Sequence, residues 1–404
     1  MRLESGSTQG GSSTLTLSAR LRELAQLFLK LGVIGFGGPA AHIALIEGEI
    51  VAKRRWVTRQ QFLDMLGAAN LIPGPTSTEM AINTGYMRAG WPGLCIAGIS
   101  FILPAALITG VFAWVYVRFG NLPQAASVLD GVKPAVLAVI AIAIWRLRRT
   151  AVKNVRLAAL GAVSFGAFFL VVNPIVILFG GGLLGMLARR YRSWRSAKTN
   201  LLLIFPLAKI STRSLGLIFG SVLLGGASTR PSIQQIALFF LKLGAILYGG
   251  GYVLLAFLEQ GLVRQHAWLT QQQLLDAVAI GQFTPGPLFS TATFIGYILG
   301  GLPGAVVATV GIFLPSFFYV ALLAPVLFRL RQSPWIAAFF DSVNVCAVAL
   351  MAAVTVRLGI DALRGWRAWV IAALALAALL RWKLSPAWIV LGGGVAGILL
   401  AFIR

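Results

Sequence analysis

"NLIPGPTST", residues 70–78, interrupts a stretch otherwise apolar enough for a membrane helix, and "QFTPGPLFST", residues 282–291, repeats the interruption in the second half of the chain. Proline lacks a backbone N–H and collides with the preceding turn, and the residue before each proline is pushed off helical angles. Pro-Gly-Pro therefore ends one helix and starts another. Within a bilayer a freed backbone group is tolerated only where it meets protein or a water-filled cavity. Each interruption thus predicts a pair of half-helices whose broken ends face something polar.

The rest of the chain agrees with a membrane setting. Of its 404 residues 58% are hydrophobic and 11% charged, and the mean hydropathy is +0.86, outside the balance of soluble domains. Apolar runs beginning at Pro92, Lys133, Arg156 and Trp369 are of spanning length or close to it. The expected fold class is an all-α polytopic membrane protein. Residues 1–21, rich in Gly, Ser and Thr and without an apolar signal core, read as a disordered cytoplasmic tail. The net charge of +23 is concentrated in clusters such as those from Arg146 and Arg189. The positive-inside rule accounts for these clusters without a nucleic-acid partner and favours an anion as cargo. Cys95 and Cys346 read as small core residues. His42 and His266 lack a second ligand at metal spacing, so neither a metal nor another cofactor is expected.

The chain is duplicated. "FLKLGVIGFGGPAAHIALIEGEIVAKRRWVTRQQFLD" (28–64) aligns without a gap on "FLKLGAILYGGGYVLLAFLEQGLVRQHAWLTQQQLLD" (240–276), and one Pro-Gly-Pro falls on the other. One residue is then deleted, so that Pro104 matches Pro315, Asp130 matches Asp341 and Arg146 matches Arg357. The expected division is a first repeat over 22–190, a linker over 191–233 with an extra helix, and a second repeat over 234–404. Basic residues do not orient the second half, but an odd number of crossings in the linker would invert it. Inverted repeats with interrupted helices are a secondary-transporter architecture, with the substrate site at the repeat interface.

Candidate residues follow from this reading. Pro73, Gly74 and Pro75, with Thr76, Ser77 and Thr78, and Pro285, Gly286 and Pro287, with Ser290 and Thr291, form helix starts suited to an oxyanion. The competing reading is a structural kink. Gly37 and Gly38, and Gly249 and Gly250, mark a second interruption in each half, explained equally by close helix packing. Lys30 and its match Lys242 read as charge compensation for a substrate or as snorkelling side chains. Glu79, Asp130 and Asp341 are the candidate proton carriers, Glu79 being without an acidic counterpart. Trp56 and Trp268 begin a loop and a Thr-x-x-Gln helix start, which gives the nearby carboxylates Glu47, Asp64, Glu259 and Asp276 a structural role.

At "FLKLGVIGFGGP", the W-x-T-x-x-Q-F-x-D stretch from Trp56, "PGPTST" from Pro73 and "FILP" from Phe101, with their second-half equivalents, the chain resembles the chromate ion transporter family. The second half departs from it in reading "YGGG" for "FGGP". The resemblance implies a multi-pass protein of the bacterial inner membrane that expels chromate and confers resistance. It also implies ten to thirteen spans and oppositely oriented halves. A dianion leaving a negative-inside cell releases about 4–5 kcal/mol per 100 mV, more than the roughly 2.7 kcal/mol of a hundredfold opposing gradient. Membrane potential, a proton gradient or both could drive it. Sulfate or another oxyanion or organic anion is the alternative cargo, and an integral membrane enzyme of lipid phosphates the remote alternative, disfavoured by the scattered acids. The expected partners are the oxyanion, the lipid bilayer and, as an assembly, a homodimer.

Overall fold

The computed structural model describes residues 16–70, 72–120, 123–170, 172–196, 231–248, 253–323, 334–382 and 384–402. Among them every regular element is helical. The expected extra linker helix falls on residues outside these, as do Gly249 and Gly250. The first repeat runs α1 (Leu17–Ile34), α2 (Pro39–Glu47) with a π-helical continuation Gly48–Lys53, α3 (Arg59–Ala69), α4 (Thr76–Phe119), α5 (Pro123–Ala151), α6 (Val155–Phe169) and α7 (Pro174–Ser196). The second runs α8 (Ile233–Ile246), α9 (Leu254–Leu258) continued by Glu259–Gln265, α10 (Gln271–Phe283), α11 (Thr291–Leu323), α12 (Pro334–Ala362), α13 (Trp366–Trp382) and α14 (Pro386–Phe402). α1 begins inside the stretch expected to be a disordered tail, because Thr16 caps it by accepting from the Ala19 N–H.

Four segments, Thr76–Phe119, Ser127–Ala151, Leu288–Leu322 and Pro334–Ala362, are long and apolar enough to cross a membrane. Leu103, Leu107, Val111 and Trp114 form an exposed stripe at helical spacing on α4, as Val306, Val310, Leu314 and Phe318 do on α11. Such a stripe suits lipid rather than water. Cys346 is buried as expected, whereas Cys95 lies exposed on α4.

α4 is a hairpin. Ala89 and Gly90 leave helical angles, Gly90 at φ 62°, and Gly85 packs against Gly93 across the turn with no room for a Cβ on either. Arg20 donates to the Arg88 carbonyl at this turn (3.3 Å) and Arg88 pairs with Glu23 (3.1 Å). The start of α1 therefore lies at the same end of the bundle, called proximal here. The Arg88 guanidinium also stacks over Trp56 at 5.0 Å, so the chain leaving α2 has returned to the proximal end. α1–α2 and α3–α4 are thus two re-entrant hairpins whose tips are the interruptions. The Thr58–Gln61 and Thr270–Gln273 capping boxes start α3 and α10 as their sequences predict. Leu24, Phe28, Ile46, Phe62, Met80 and Phe101 fill the core between the hairpins.

The second repeat dips its hairpins from the opposite, distal end. Lys153, just after α5, pairs with Asp341 near the start of α12 at 2.7 Å, and Asp130 near the start of α5 shares a cavity with Asp361 near the end of α12. α5 and its counterpart α12 are therefore antiparallel, and the repeats are inverted. The last two helices of each repeat pack on the long helix of the other. Gly131 on α5 meets Gly393 and Gly397 on α14, and Gly181 and Gly182 on α7 meet Cys346 and Phe339 on α12. The halves therefore hold together through close backbone contact.

A test of inversion follows. In a background free of native cysteines, Lys153→Cys with Asp341→Cys should cross-link readily with a short bis-thiol reagent, read as a mobility shift on gels. A Lys153→Cys, Arg364→Cys pair, matched by the repeat but placed at opposite ends, should not.

Candidate substrate site

The freed groups at the helix breaks find each other. The Gly74 N–H donates to the Leu247 carbonyl at 2.8 Å, and the Gly286 N–H donates to the Gly35 carbonyl at 2.8 Å. Gly74 matches Gly286 in the repeat, and Gly35 matches Leu247. One pseudo-two-fold relation thus generates both bonds, and each Pro-Gly-Pro tip is clasped to the first interruption of the other repeat. Gly74 at φ +139° and Gly286 at φ +85° are the backbone angles that make the crossing, and an L side chain rarely adopts them. Pro73, Pro75, Pro285 and Pro287 are buried with them. Pro75 is the residue before the first helical turn of α4, and the deletion in the second repeat puts a 3-10 turn, Leu288–Ser290, before α11.

Beside the first-repeat crossing lies a cavity of about 480 Å³, in the size range of small-molecule sites. Gly37, Asn70, Gly74 and Thr76 line it from the broken tips, and Arg146, Lys153, Asp341 and Asn344 line it from α5, the loop after α5, and α12. The α4 N-terminus contributes unsatisfied amides and about half a positive charge. Lys153 is neutralised by Asp341. Arg146 has no carboxylate partner among the described residues and is the uncompensated cation on the wall.

At the second-repeat crossing the space beside the tip is shut, while Asp130, Lys133, Asp361 and Arg364, the matches of Asp341, Asn344, Thr150 and Lys153, line a distal cavity of about 1130 Å³. Leu255, Gln282 and Leu288, which match Ile43, Asn70 and Thr76, border a void of only about 10 Å³. Arg357, the match of Arg146, lies 3.5 Å from the buried Glu259, which also holds Arg264 at 2.9 Å. Glu47, the match of Glu259, instead turns outward to Arg59 at 3.8 Å, which leaves Arg146 unclaimed. The pseudo-symmetry therefore holds for the backbone clasp and for a cavity at each end, and fails where the cavity meets the broken tip.

The remaining candidates are spread more widely. Gly38, at φ 78°, precedes α2 beside the cavity. Ser77, Thr78 and Glu79 are buried behind the wall. Ser290 accepts from Thr109 at 3.4 Å and Thr291 donates to the Leu288 carbonyl, so both hydroxyls serve packing. The structure does not bring Lys30 to the cavity: it is exposed and 3.6 Å from Glu49, with Lys53 at 2.8 Å on the same carboxylate. The hydrogen bond from Lys53 is the main cause holding Glu49 below the usual carboxylate range. Lys242 lies in a distal groove with Gln265, His266 and Trp268. Asp130 is exposed and 3.1 Å from the buried Lys133, which in turn approaches Asp276 at 3.9 Å. The Tyr116 hydroxyl donates to Asp276 at 2.9 Å. Asp276 is thus a buried anchor between the repeats. Sequence reasoning placed Arg146 among the matched charges without assigning it to the site, and it missed Asn70, Lys153 and Asn344, which carry no motif of their own.

The Chromate transporter family model matches residues 22–186 and again 234–398. The chain belongs to the chromate transporter family. Curated relatives cover nearly its whole length. The "Chromate transport protein" of Cupriavidus metallidurans is 33% identical over 97% of this chain and 96% of its own. The "Probable chromate transport protein" of Synechococcus elongatus is 32% identical over 90% and 91%. The Pseudomonas aeruginosa "Chromate transport protein" is 31% identical over 93% and 91%. No solved structure matches the chain.

Gly74→Ala tests the crossing. Its Cβ would be forced onto Glu79 and Ser316 at a left-handed backbone angle, a loss of about 1–3 kcal/mol for strain and overpacking. Melting of the detergent-purified protein should fall by several degrees, whereas Gly180→Ala, with open space around it, should leave it unchanged.

Proposed function

We propose that this transporter carries chromate out of the cytoplasm through the cavity between the broken tips of the first repeat. The observation that carries the reading is a polar cavity that reaches a helix N-terminus and holds an unclaimed arginine, whereas the matching distal cavity is not lined by its broken tip. A tetrahedral dianion seated there would take the α4 amides at one pole and the Arg146 guanidinium at another, both charge-assisted. The proximal end carries Lys53, Arg54, Arg55, Arg148 and Arg149, so the positive-inside rule assigns it to the cytoplasm. The cavity would then load from inside the cell. Rocking of the inverted repeats about the two clasps would close the first cavity and open the second, exposing the site to the other face. This also assigns Arg357 a role: freed from Glu259, it would receive the anion on the exit side.

The membrane potential favours this direction for a dianion by about 4–5 kcal/mol per 100 mV. Export of that kind confers chromate resistance on a bacterium whose inner membrane holds the protein. Sulfate, an isosteric dianion, is the natural competitor.

Proteoliposomes loaded with labelled chromate should show protein-dependent efflux under an imposed potential, and absence of such flux removes the reading. Arg146→Ala should raise the half-saturating chromate concentration at least tenfold, about 1.5–3 kcal/mol for a hydrogen bond to a charged group. Lys153→Ala, whose charge is already matched by Asp341, should cost less than half of that energy.

A further inference from the structure

Behind the cavity wall the two crossings differ in a way the pseudo-symmetry does not require. Glu79, in the first turn of α4, is fully buried, and neither carboxyl oxygen has a hydrogen-bond partner among the described residues. The hydroxyls of Thr78 and Ser316 are likewise buried and unpartnered. The space a Cβ on Gly74 would occupy is bounded by Glu79 Oε1 and Ser316 Oγ. The carboxyl and the α11 hydroxyl therefore flank one space directly behind the glycine that lines the cavity, without a hydrogen bond between them. The titratable group that faces this carboxyl is the phenol of Tyr248, after α8, itself beside Tyr319 on α11, and no lysine or arginine pairs with the carboxyl among the described residues. At the other crossing Ala105 occupies the place of Ser316 and meets the same position of Gly286. There Thr291 matches Glu79, Phe36 matches Tyr248 and Ile108 matches Tyr319. One crossing is built polar around an ionisable group and its twin is built apolar.

A buried carboxylate without a partner is costly, and two charge forms answer the problem differently. With the cavity empty, an ionised Glu79 is supported by the positive end of α4. A dianion in the cavity draws on the same N-terminal charge and repels the carboxylate across one thickness of backbone, so the neutral acid becomes the compatible form. We infer that Glu79 is the transporter's proton site, taking up one proton when the oxyanion enters the cavity, so that anion and proton bind as a pair. Ser316 positions the carboxyl and accepts from its O–H in the neutral form. By linkage, protons strengthen anion binding by the factor that the anion strengthens proton binding. The dianion then moves with one unit of negative charge rather than two. The inference rests on the cavity being the oxyanion site.

The test uses the full-length protein in detergent with chromate as probe. Binding measured in weak buffer with a pH indicator should take up close to one proton per chromate bound beyond that owed to the titration of chromate itself. Glu79→Gln should take up none, and its binding should lose the steeper fall in affinity with rising pH, up to tenfold per pH unit, that the wild type shows. Ser316→Ala keeps the carboxyl and should shift the pH midpoint of uptake by a measurable fraction of a unit. Equal proton uptake by wild type and Glu79→Gln, or an unshifted midpoint in Ser316→Ala, overturns the assignment while leaving the cavity intact. Absence of chromate binding by the wild type removes the site reading, and the inference falls with it.

Discussion

Two backbone hydrogen bonds organise this molecule. A Pro-Gly-Pro break in a membrane helix exposes amide and carbonyl groups that lipid cannot satisfy. The Gly74 and Gly286 amides resolve this by donating to Leu247 and Gly35 of the opposite repeat. The breaks are thus affordable only because the chain is duplicated and inverted, which brings each tip to its complement. Re-entrant hairpins, antiparallel long helices and the exchanged packing of the terminal helices all serve to hold those tips together.

A crossing held by reciprocal bonds is a natural pivot. The clasp is the same on both sides, whereas the proximal cavity reaches its broken tip and the distal cavity does not. Where the two carboxylates Glu47 and Glu259 point decides much of this difference. Glu259 is buried on Arg264 and Arg357, and Glu47 lies outside on Arg59. The buried pair stabilises the closed side only as long as both partners stay together, since separating them leaves an uncompensated charge in low dielectric. A transporter that exchanges its cavities must reform such pairs on the other side. Lys133, which approaches Asp276 at the distal end, is matched by Asn344, so that lysine–carboxylate contact is not repeated at the other crossing. The two crossings are therefore not electrostatically alike.

Division of labour between backbone and side chains explains the sparseness of charge. The α4 amides supply attraction for an anion without a formal charge to desolvate. One arginine sits at the cavity wall, and the other cations described near the tips are matched by carboxylates. Under the proposed assignment of the cavity, selectivity between tetrahedral dianions would depend on the shape left by Gly37, Gly74 and Thr76 rather than on a ring of lysines.

The sequence by itself determined the duplication, the helical class, the position of each break and the capped starts of α3 and α10, because these follow from local rules: proline removes a donor, glycine permits left-handed angles, and Thr-x-x-Gln satisfies its own amides. It also singled out Glu79, by the lack of a counterpart. It could not separate Lys30 from Arg146, since both are matched basic residues among apolar neighbours, and only packing turns the first to Glu49 at the exterior and the second to the cavity. Asn70 and Asn344 were invisible for the same reason, their role arising from juxtaposition of distant segments. Inversion was expected from the resemblance and from an odd number of crossings in the linker, but basic residues did not orient the second half, and the antiparallel meeting of α5 and α12 supplies that orientation. The unequal reach of the cavities was decided by tertiary structure alone, because it depends on which distant side chains the packed helices bring together.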